Sequence, residues 1–315
     1  MKRLSCKMAL VAMVMLSLGS ASAQTPLWQG KGRIVISSDG NEHDSDDWSA
    51  TAMSLALLAA RGMQNDLVLY TYSDHVWGSN QARARVHGKS AYEHMRESAL
   101  GGKSRFGFDK SRFICAVDCP ERAYDAMAEV INQSTAENPL IILAGGPMQV
   151  VGEGLNRAKK ECREFVTVVS HSWWNNEHSD WWSDDIDRPF PSLKAKSWDG
   201  HSGWTFAEMK SEFGTKRGGE AKFIEILDQN GGDDYEGLQA PMSRFEWLIT
   251  FEGQNKPPYS YDSWYWLYER LLVHGHKGKF DVSDAGLVLY MLTGVEKSNV
   301  DMLREIMENP VVKRK

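Results

Sequence analysis

Several features are scarce or missing in this 315-residue chain, and each absence removes a class of function. Cysteine is sparse, four in all, and no Cys/His spacing suits a zinc site. There is no run of Lys or Arg, and the formal net charge is −6, so nothing draws the protein to nucleic acid. No Gly-x-Ser-x-Gly elbow and no Walker loop occur. Beyond the N-terminus no segment is long and apolar enough to span a bilayer. Internal repeats and low-complexity tracts are absent. What is present is an ordinary globular composition, 42% hydrophobic and 25% charged, in a length suited to one large domain. Tryptophan is the exception at twelve. Flat rings serve where sugars or bases stack, and they also fill cores.

The N-terminus has the parts of a secretory signal. Lys2, Arg3 and Lys7 precede an apolar stretch over 8–18, and Ala21-Ser22-Ala23 supplies small residues for cleavage before Gln24. Residues 1–23 are therefore expected to be a signal peptide. Residues 24–315 would form a single domain in the periplasm or outside the cell. Cys115 and Cys119 lie four apart, and an oxidising compartment leaves either a disulfide or two thiols open.

Strand and helix patterns alternate. The β-branched run 33–38 predicts a buried strand and 48–61 a helix. Strands are also expected over 67–72, 139–144 and 165–170. Helices are expected over 90–100, 123–133, 149–160, 262–273 and 284–292. The polar stretch 181–237 reads as insertions over the sheet. The expected fold class is α/β, a mostly parallel, open Rossmann-like sheet with helices on both faces. Three of the four strands end in loops rich in Asp, Asn, Glu, His and Gly, and ligands of open α/β sheets bind beyond the carboxyl ends of strands.

The first of these loops, 39–47, holds five carboxylates: Asp39, Glu42, Asp44, Asp46 and Asp47. Like charges at one place raise one another's pKa, and a divalent cation removes that cost. An all-oxygen donor set suits Ca²⁺ or Mg²⁺. The spacing is not that of an EF-hand. The plainer alternative is a solvated turn that caps the next helix. A dinucleotide site is disfavoured, since carboxylates at this position repel a pyrophosphate.

Strand, Asp-rich loop, Asp46-Asp47 and an Ala-rich helix together resemble the opening of the nucleoside hydrolase superfamily, whose pattern is Asp-x-Asp-x-x-x-Asp-Asp. Further pieces follow in order. Leu143-Ala-Gly-Gly-Pro-Met-Gln-Val150 is similar to the family's Gly-Pro-Leu-Thr-Asn turn. Val168-Val-Ser-His-Ser-Trp-Trp-Asn-Asn-Glu177 is similar to the strand and loop that reach the sugar hydroxyls. Val282-Ser-Asp284-Ala resembles the late His-Asp-x-x-Ala segment. The resemblance implies Ca²⁺-assisted cleavage of a glycosidic bond. Asp47, Asp284, Asp39 and the Gln149 carbonyl would be metal ligands, and Asp46 would hold a sugar hydroxyl. The departures fall on the catalytic base. Asn41 stands where the family has Asp, about three residues are inserted before Asp46, and Ser283 replaces His. A surviving base would have to be Asp44 or Glu42, accepting a proton from water whose pKa the metal lowers.

His171, Asn175, Asn176 and Glu177 follow a buried strand and are expected to bind sugar hydroxyls; a polar turn is the plainer reading. Trp173, Trp174, Trp181 and Trp182 suit either a stacking platform or a core. His43 and His75 follow the first two strands and are candidate proton donors. The expected function is an exported metal-dependent glycosidic-bond hydrolase with a nucleoside or saccharide substrate. The alternatives are a Ca²⁺-dependent carbohydrate binder without catalysis and a metal-dependent phosphoesterase. The sequence leaves a homo-oligomer open.

Overall fold

The computed structural model describes residues 25–40, 45–76, 86–177, 197–198, 201–214, 220–250, 258–275 and 277–311. The signal segment 1–23 and the loop residues Glu42, His43 and Asp44 lie outside them, as do Trp181 and Trp182.

The first half alternates strand and helix: β1 (Arg33–Ser38), α1 (Asp47–Ala60), β2 (Leu67–Tyr72), α2 (Ala91–Phe106), β3 (Arg112–Cys115), α3 (Pro120–Ile131), β4 (Leu140–Gly145), α4 (Gln149–Arg157), α5 (Lys160–Arg163), β5 (Val166–Ser170) and α6 (Trp173–Glu177). There follow β6 (Ser197–Trp198), β7 (His201–Ser202), α7 (Phe206–Phe213), β8 (Lys222–Glu225), β9 (Gln239–Pro241), α8 (Trp247–Thr250), α9 (Tyr261–His274), β10 (Lys279–Asp281), α10 (Ala285–Thr293) and α11 (Val300–Glu308).

Six strands form one parallel sheet in the order β3-β2-β1-β4-β5-β8. The α/β expectation holds. The chain starts in the middle of the sheet, at β1, and works outward to one side before returning through β4. The reversal places a crevice between the carboxyl ends of β1 and β4, where Ser38 pairs with Gly145. β1 and β4 are buried along their whole length, as expected of strands covered on both faces.

Two apolar layers cover the sheet. One packs α1, α2, α9, α10 and α11 on one face; the other packs α3, α4 and α7 on the opposite face. Every residue of α1 is buried, which explains a helix apolar nearly all round. α2 is fixed at its start by a reciprocal cap: the Ser90 hydroxyl accepts from Glu93 N (3.3 Å) and the Glu93 carboxylate accepts from Ser90 N (2.7 Å).

Two expectations need correction. The stretch 181–237 is not only an insertion. It supplies β8, the edge strand beside β5, and α7, which brings Phe206, Met209 and Phe213 into the second layer together with Trp204 just before it. Two of the sheet's six strands, β3 and β8, are also absent from the expected set. Cys115 and Cys119 form no disulfide. Burial pushes the Cys115 thiol up to about 12, and Cys119 is exposed.

Candidate metal centre and substrate cleft

β1 delivers Asp39 to the crevice. Asp39 is fully buried, its N–H donates to the Gly145 carbonyl (3.3 Å), and its carbonyl accepts from Ser73 N (2.8 Å). The carboxyl ends of β1, β2 and β4 are thereby stitched together. No room is spare: a Cβ on Gly146 would lie 2.7 Å from Asp39 N, and one on Gly145 would lie 2.9 Å from Asp284 Oδ1. The Trp48 indole N–H donates to the Gly40 carbonyl (2.9 Å), pinning the entry to the acidic loop against α1.

Asp46 caps α1, its Oδ1 accepting from Asp47 N (3.1 Å). Asp284 occupies the same place before α10, far away in sequence. Among the described residues, Asp46, Asp47 and Asp284 form the one group of His, Cys, Asp or Glu suited to a cation, each with a ligand atom within 4.8 Å of the others. Asp47 is fully buried. Its Oδ1 accepts from the Ser38 hydroxyl, while its Oδ2 is buried with no hydrogen bond among the described residues. Burial, and then the charges of Asp284, Asp46 and Asp39, push its pKa well above the usual carboxylate range. A carboxylate in that position has no positive partner among the described residues, and a hard cation would supply one.

Asp284 is oriented by two donors on one oxygen. His171 Nε2 and Asn175 Nδ2 both lie 2.9 Å from Oδ1. The neighbouring carboxylates of Asp228 and Asp284 outweigh burial and push the His171 pKa up to about 9. Yet the Gln229 backbone N–H points at Nδ1 from 3.2 Å, and an N–H donates only to an unprotonated nitrogen. Asp228 Oδ1, at 3.6 Å, is too far for a hydrogen bond. The geometry therefore favours the neutral ring with its proton on Nε2, facing Asp284. Such a donor fixes a ligating carboxylate in place.

These groups open into a cleft of about 570 Å³. Asp46, Asp284, His171 and Asn175 line it, along with Trp173, Asp228, Asp281 and His274. The His274 Nδ1 is paired with the Ser45 hydroxyl at 2.9 Å. Exposed Lys277 and Lys279 also line it.

Of the residues expected from sequence, Asp46, Asp47 and Asp284 come together, with Asp39 close enough to act on Asp47. Gln149 begins α4 at the same end of the sheet; its side-chain Oε1 accepts from Trp204 N (3.1 Å). Asn176 does not join Asn175: its Nδ2 donates to Glu225 Oε1 (2.8 Å), and it lines an adjoining cleft with Glu177. Trp173 is 54% exposed, so it is not core. Glu42 and Asp44, the expected base candidates, lie outside the described residues. His75 is buried.

Two acids were missed. Asp74 follows β2 as Asp39 follows β1; it is fully buried, and its Oδ2 accepts from the Ser37 and Thr71 hydroxyls. Burial lifts its pKa to about 7. Asp281 at the end of β10 is lifted to about 7 by burial and by Asp46, and is held by Gln239 Nε2 (2.6 Å) and Ser283 N (3.0 Å). Their signal was position: each is an Asp within two residues of a strand's end.

A parallel α/β sheet with an acidic, cation-suited group at its reversal point is thus the class that fold and site define. No family model matches the chain. An uncharacterized protein of Formosa agariphila is 29% identical over 302 residues, spanning 91% of this chain and 95% of its own. No helix among the described residues is long and apolar enough to cross a membrane.

Proposed function

We propose that the protein is an exported, calcium-dependent hydrolase of glycosidic bonds, acting on a nucleoside or a saccharide. One observation carries this reading: Asp46, Asp47 and Asp284, from opposite ends of the chain, meet at the sheet's reversal point, and Asp47 Oδ2 is buried there with no hydrogen bond among the described residues. The all-carboxylate donors fit Ca²⁺. Asp47 and Asp284 would hold it, with Asp39 and the Gln149 carbonyl as further ligands. When bound, the cation supplies Lewis acidity that makes water a nucleophile near neutral pH.

The remaining work belongs to the chain's own groups. Asp46 stands at the cleft wall and accepts from sugar hydroxyls. His171 and Asn175 hold Asp284 in one orientation. Water adds to the anomeric carbon, its proton passes to a carboxylate, and the leaving nitrogen or oxygen departs with a proton. Asp44 and Glu42 are the base candidates, and His274 is a cleft residue able to donate to the leaving group. A phosphate ester is the second reading, since Lys277 and Lys279 line the same cleft; release of 4-nitrophenol from its phosphate ester but not from a glycoside would favour it.

The test is calorimetric titration with Ca²⁺ together with a screen of 4-nitrophenyl glycosides, nucleosides and neutral oligosaccharides, with and without chelator. Micromolar to submillimolar binding and chelator-sensitive turnover are expected. Turnover that is indifferent to chelator, or absent Ca²⁺ binding, overturns the metal-dependent reading. Calcium-dependent saccharide binding with no turnover replaces the enzyme by a binder.

A further inference from the structure

Behind the cation-suited group, three buried hydroxyls run in a line that ends on Asp47. Their places follow from local geometry. Thr51 stands one helical turn after Asp47 in α1, so the two share a face of the helix. Tyr70 on β2 pairs with Ile36 on β1, and strand alternation puts Ser38 on the same face of the sheet as Ile36. That is the face α1 covers. The Tyr70 hydroxyl donates to Thr51 Oγ1 (2.8 Å), Thr51 Oγ1 lies 3.1 Å from Ser38 Oγ, and the Ser38 hydroxyl donates to Asp47 Oδ1.

With Asp47 ionised, the protons in this line can run only one way. A carboxylate accepts and cannot donate, so Ser38 gives it its one proton. Ser38 then accepts from Thr51. Thr51 has a second acceptor in reach, Met95 Sδ at 3.7 Å, but a thioether is a weak one. Thr51 in turn accepts from Tyr70. Each hydroxyl is spent on the next, and the last on Asp47. Water has little room to substitute for them: the void walled by Ser38, Thr51, Tyr70 and Asp284, among others, holds about 10 Å³, the lower limit for a single molecule. Packing alone asks for none of these hydroxyls, and burying each one costs hydration that only a partner offsets. The end point they share is Asp47. With Oδ1 held from behind, Oδ2 is the atom left for a cation.

We infer that Tyr70, Thr51 and Ser38 are positioning residues for the proposed metal site, a hydroxyl relay that fixes the Asp47 carboxylate from beneath and so sets the affinity for the divalent cation. This rests on the metal-dependent reading and adds the residues that control the cation's hold, none of which lines the cleft.

The test is calorimetric titration of the protein and its variants with Ca²⁺ alone, so no substrate is needed. Ser38→Ala should raise Kd roughly 10–100-fold, the usual cost of losing a group that holds a metal ligand. Thr51→Val should raise it at least fivefold, and Thr51→Ser, which keeps the hydroxyl, should bind within twofold of the wild type. Tyr70 acts only through Thr51, so Tyr70→Phe should weaken binding in the wild type and change nothing further in the Thr51→Val protein. A merely structural hydroxyl would lower the melting temperature in chelator without moving Kd. Thr51→Val and Tyr70→Phe keep the shape of their side chains and carry the test if Ser38→Ala fails to fold. A rise of less than fivefold in Thr51→Val, a Thr51→Ser protein as weak as Thr51→Val, or a Tyr70→Phe effect of equal size with and without the Thr51 hydroxyl overturns the relay and leaves the metal site standing. A wild-type protein that binds no Ca²⁺ overturns both.

Discussion

At the scale of single residues, the site is a set of acids held against their own preference. Asp47 loses hydration on burial and gains, among the described residues, only the Ser38 hydroxyl, with three carboxylates nearby. Replacing it by Asn removes the charge and keeps the shape. Asp47→Asn should therefore raise the melting temperature in chelator at pH 7.5 while abolishing measurable Ca²⁺ binding. A variant that still binds Ca²⁺ with unchanged affinity removes Asp47 from the ligand set. Asn175→Ala should act more gently, because Asn175 donates to Asp284, a proposed ligand, rather than being one itself. Loss of such a supporting hydrogen bond weakens metal affinity by roughly 10–100-fold, read by the same titration.

Asp74 poses the same problem away from the three-carboxylate group. A folded pKa of about 7 against the ordinary 3.8 means that ionising it costs on the order of 4 kcal/mol well above pH 7. The sign follows from proton uptake. Its folded-state pKa is raised, so the native state holds the proton through the window from about 4 to 7, and stability falls as pH rises across it. Asp74→Asn should melt higher than the wild type at pH 8 in chelator and close to it at pH 5. Equal shifts at both pH values would mean that Asp74 is not protonated in the native state.

At the scale of elements, close approaches set how the layers fit. α3 and α4 pack so tightly that a Cβ on Gly154 would sit 2.1 Å from Met127 Cγ and 2.6 Å from Met127 Cβ. Alanine is the better helix former by about 1 kcal/mol. Overpacking of this kind costs about 1–3 kcal/mol, so the clash outweighs the propensity gain. Gly154→Ala should unfold at lower denaturant with an unchanged m-value; a gain in stability would show that Met127 yields freely.

The same elements show what the sequence made legible. β1, β2, β4 and β5 were readable because buried parallel strands are apolar throughout. β3 (Arg-Phe-Ile-Cys) and β8 (Lys-Phe-Ile-Glu) were not. They are four-residue edge strands, half-exposed and bounded by charge, and nothing local separates them from loop. Asp46, Asp47 and Asp284 were legible through a motif and a strand-end rule. Asp74 and Asp281 shared the strand-end signal, but their role lies in which hydroxyls, amides and carboxylates the register sets beside them. Asn175 and Asn176 show the limit most plainly. Adjacent and chemically identical, they face different clefts, one on Asp284 and the other on Glu225.

For the whole molecule, the acids make stability, metal and pH one linked quantity. Asp47 and Asp284 have raised pKa values, and Asp74 and Asp281 lie near 7, all with burial as the largest cause. Without metal, the native state binds more protons than the unfolded chain between about pH 4 and 7, so its stability falls as pH rises there. Carboxylates with lowered pKa values, such as Glu236 beside Arg244, do not offset this, because their contribution changes only below their unfolded value. On the proposed reading, calcium would bind the ionised carboxylates and displace their protons, so its hold would strengthen as pH rises. At a free concentration of 100 times Kd it adds roughly 2.7 kcal/mol. For a domain of this size that is about 4–5 °C in melting temperature. Calcium should thus raise the melting temperature several degrees more at pH 7.5 than at pH 5, and chelator should restore the downward slope with pH. Scanning calorimetry at the two pH values, with calcium or chelator, measures this directly. A calcium shift of equal size at both would mean that the cation binds without displacing protons, and so not at Asp47 and Asp284.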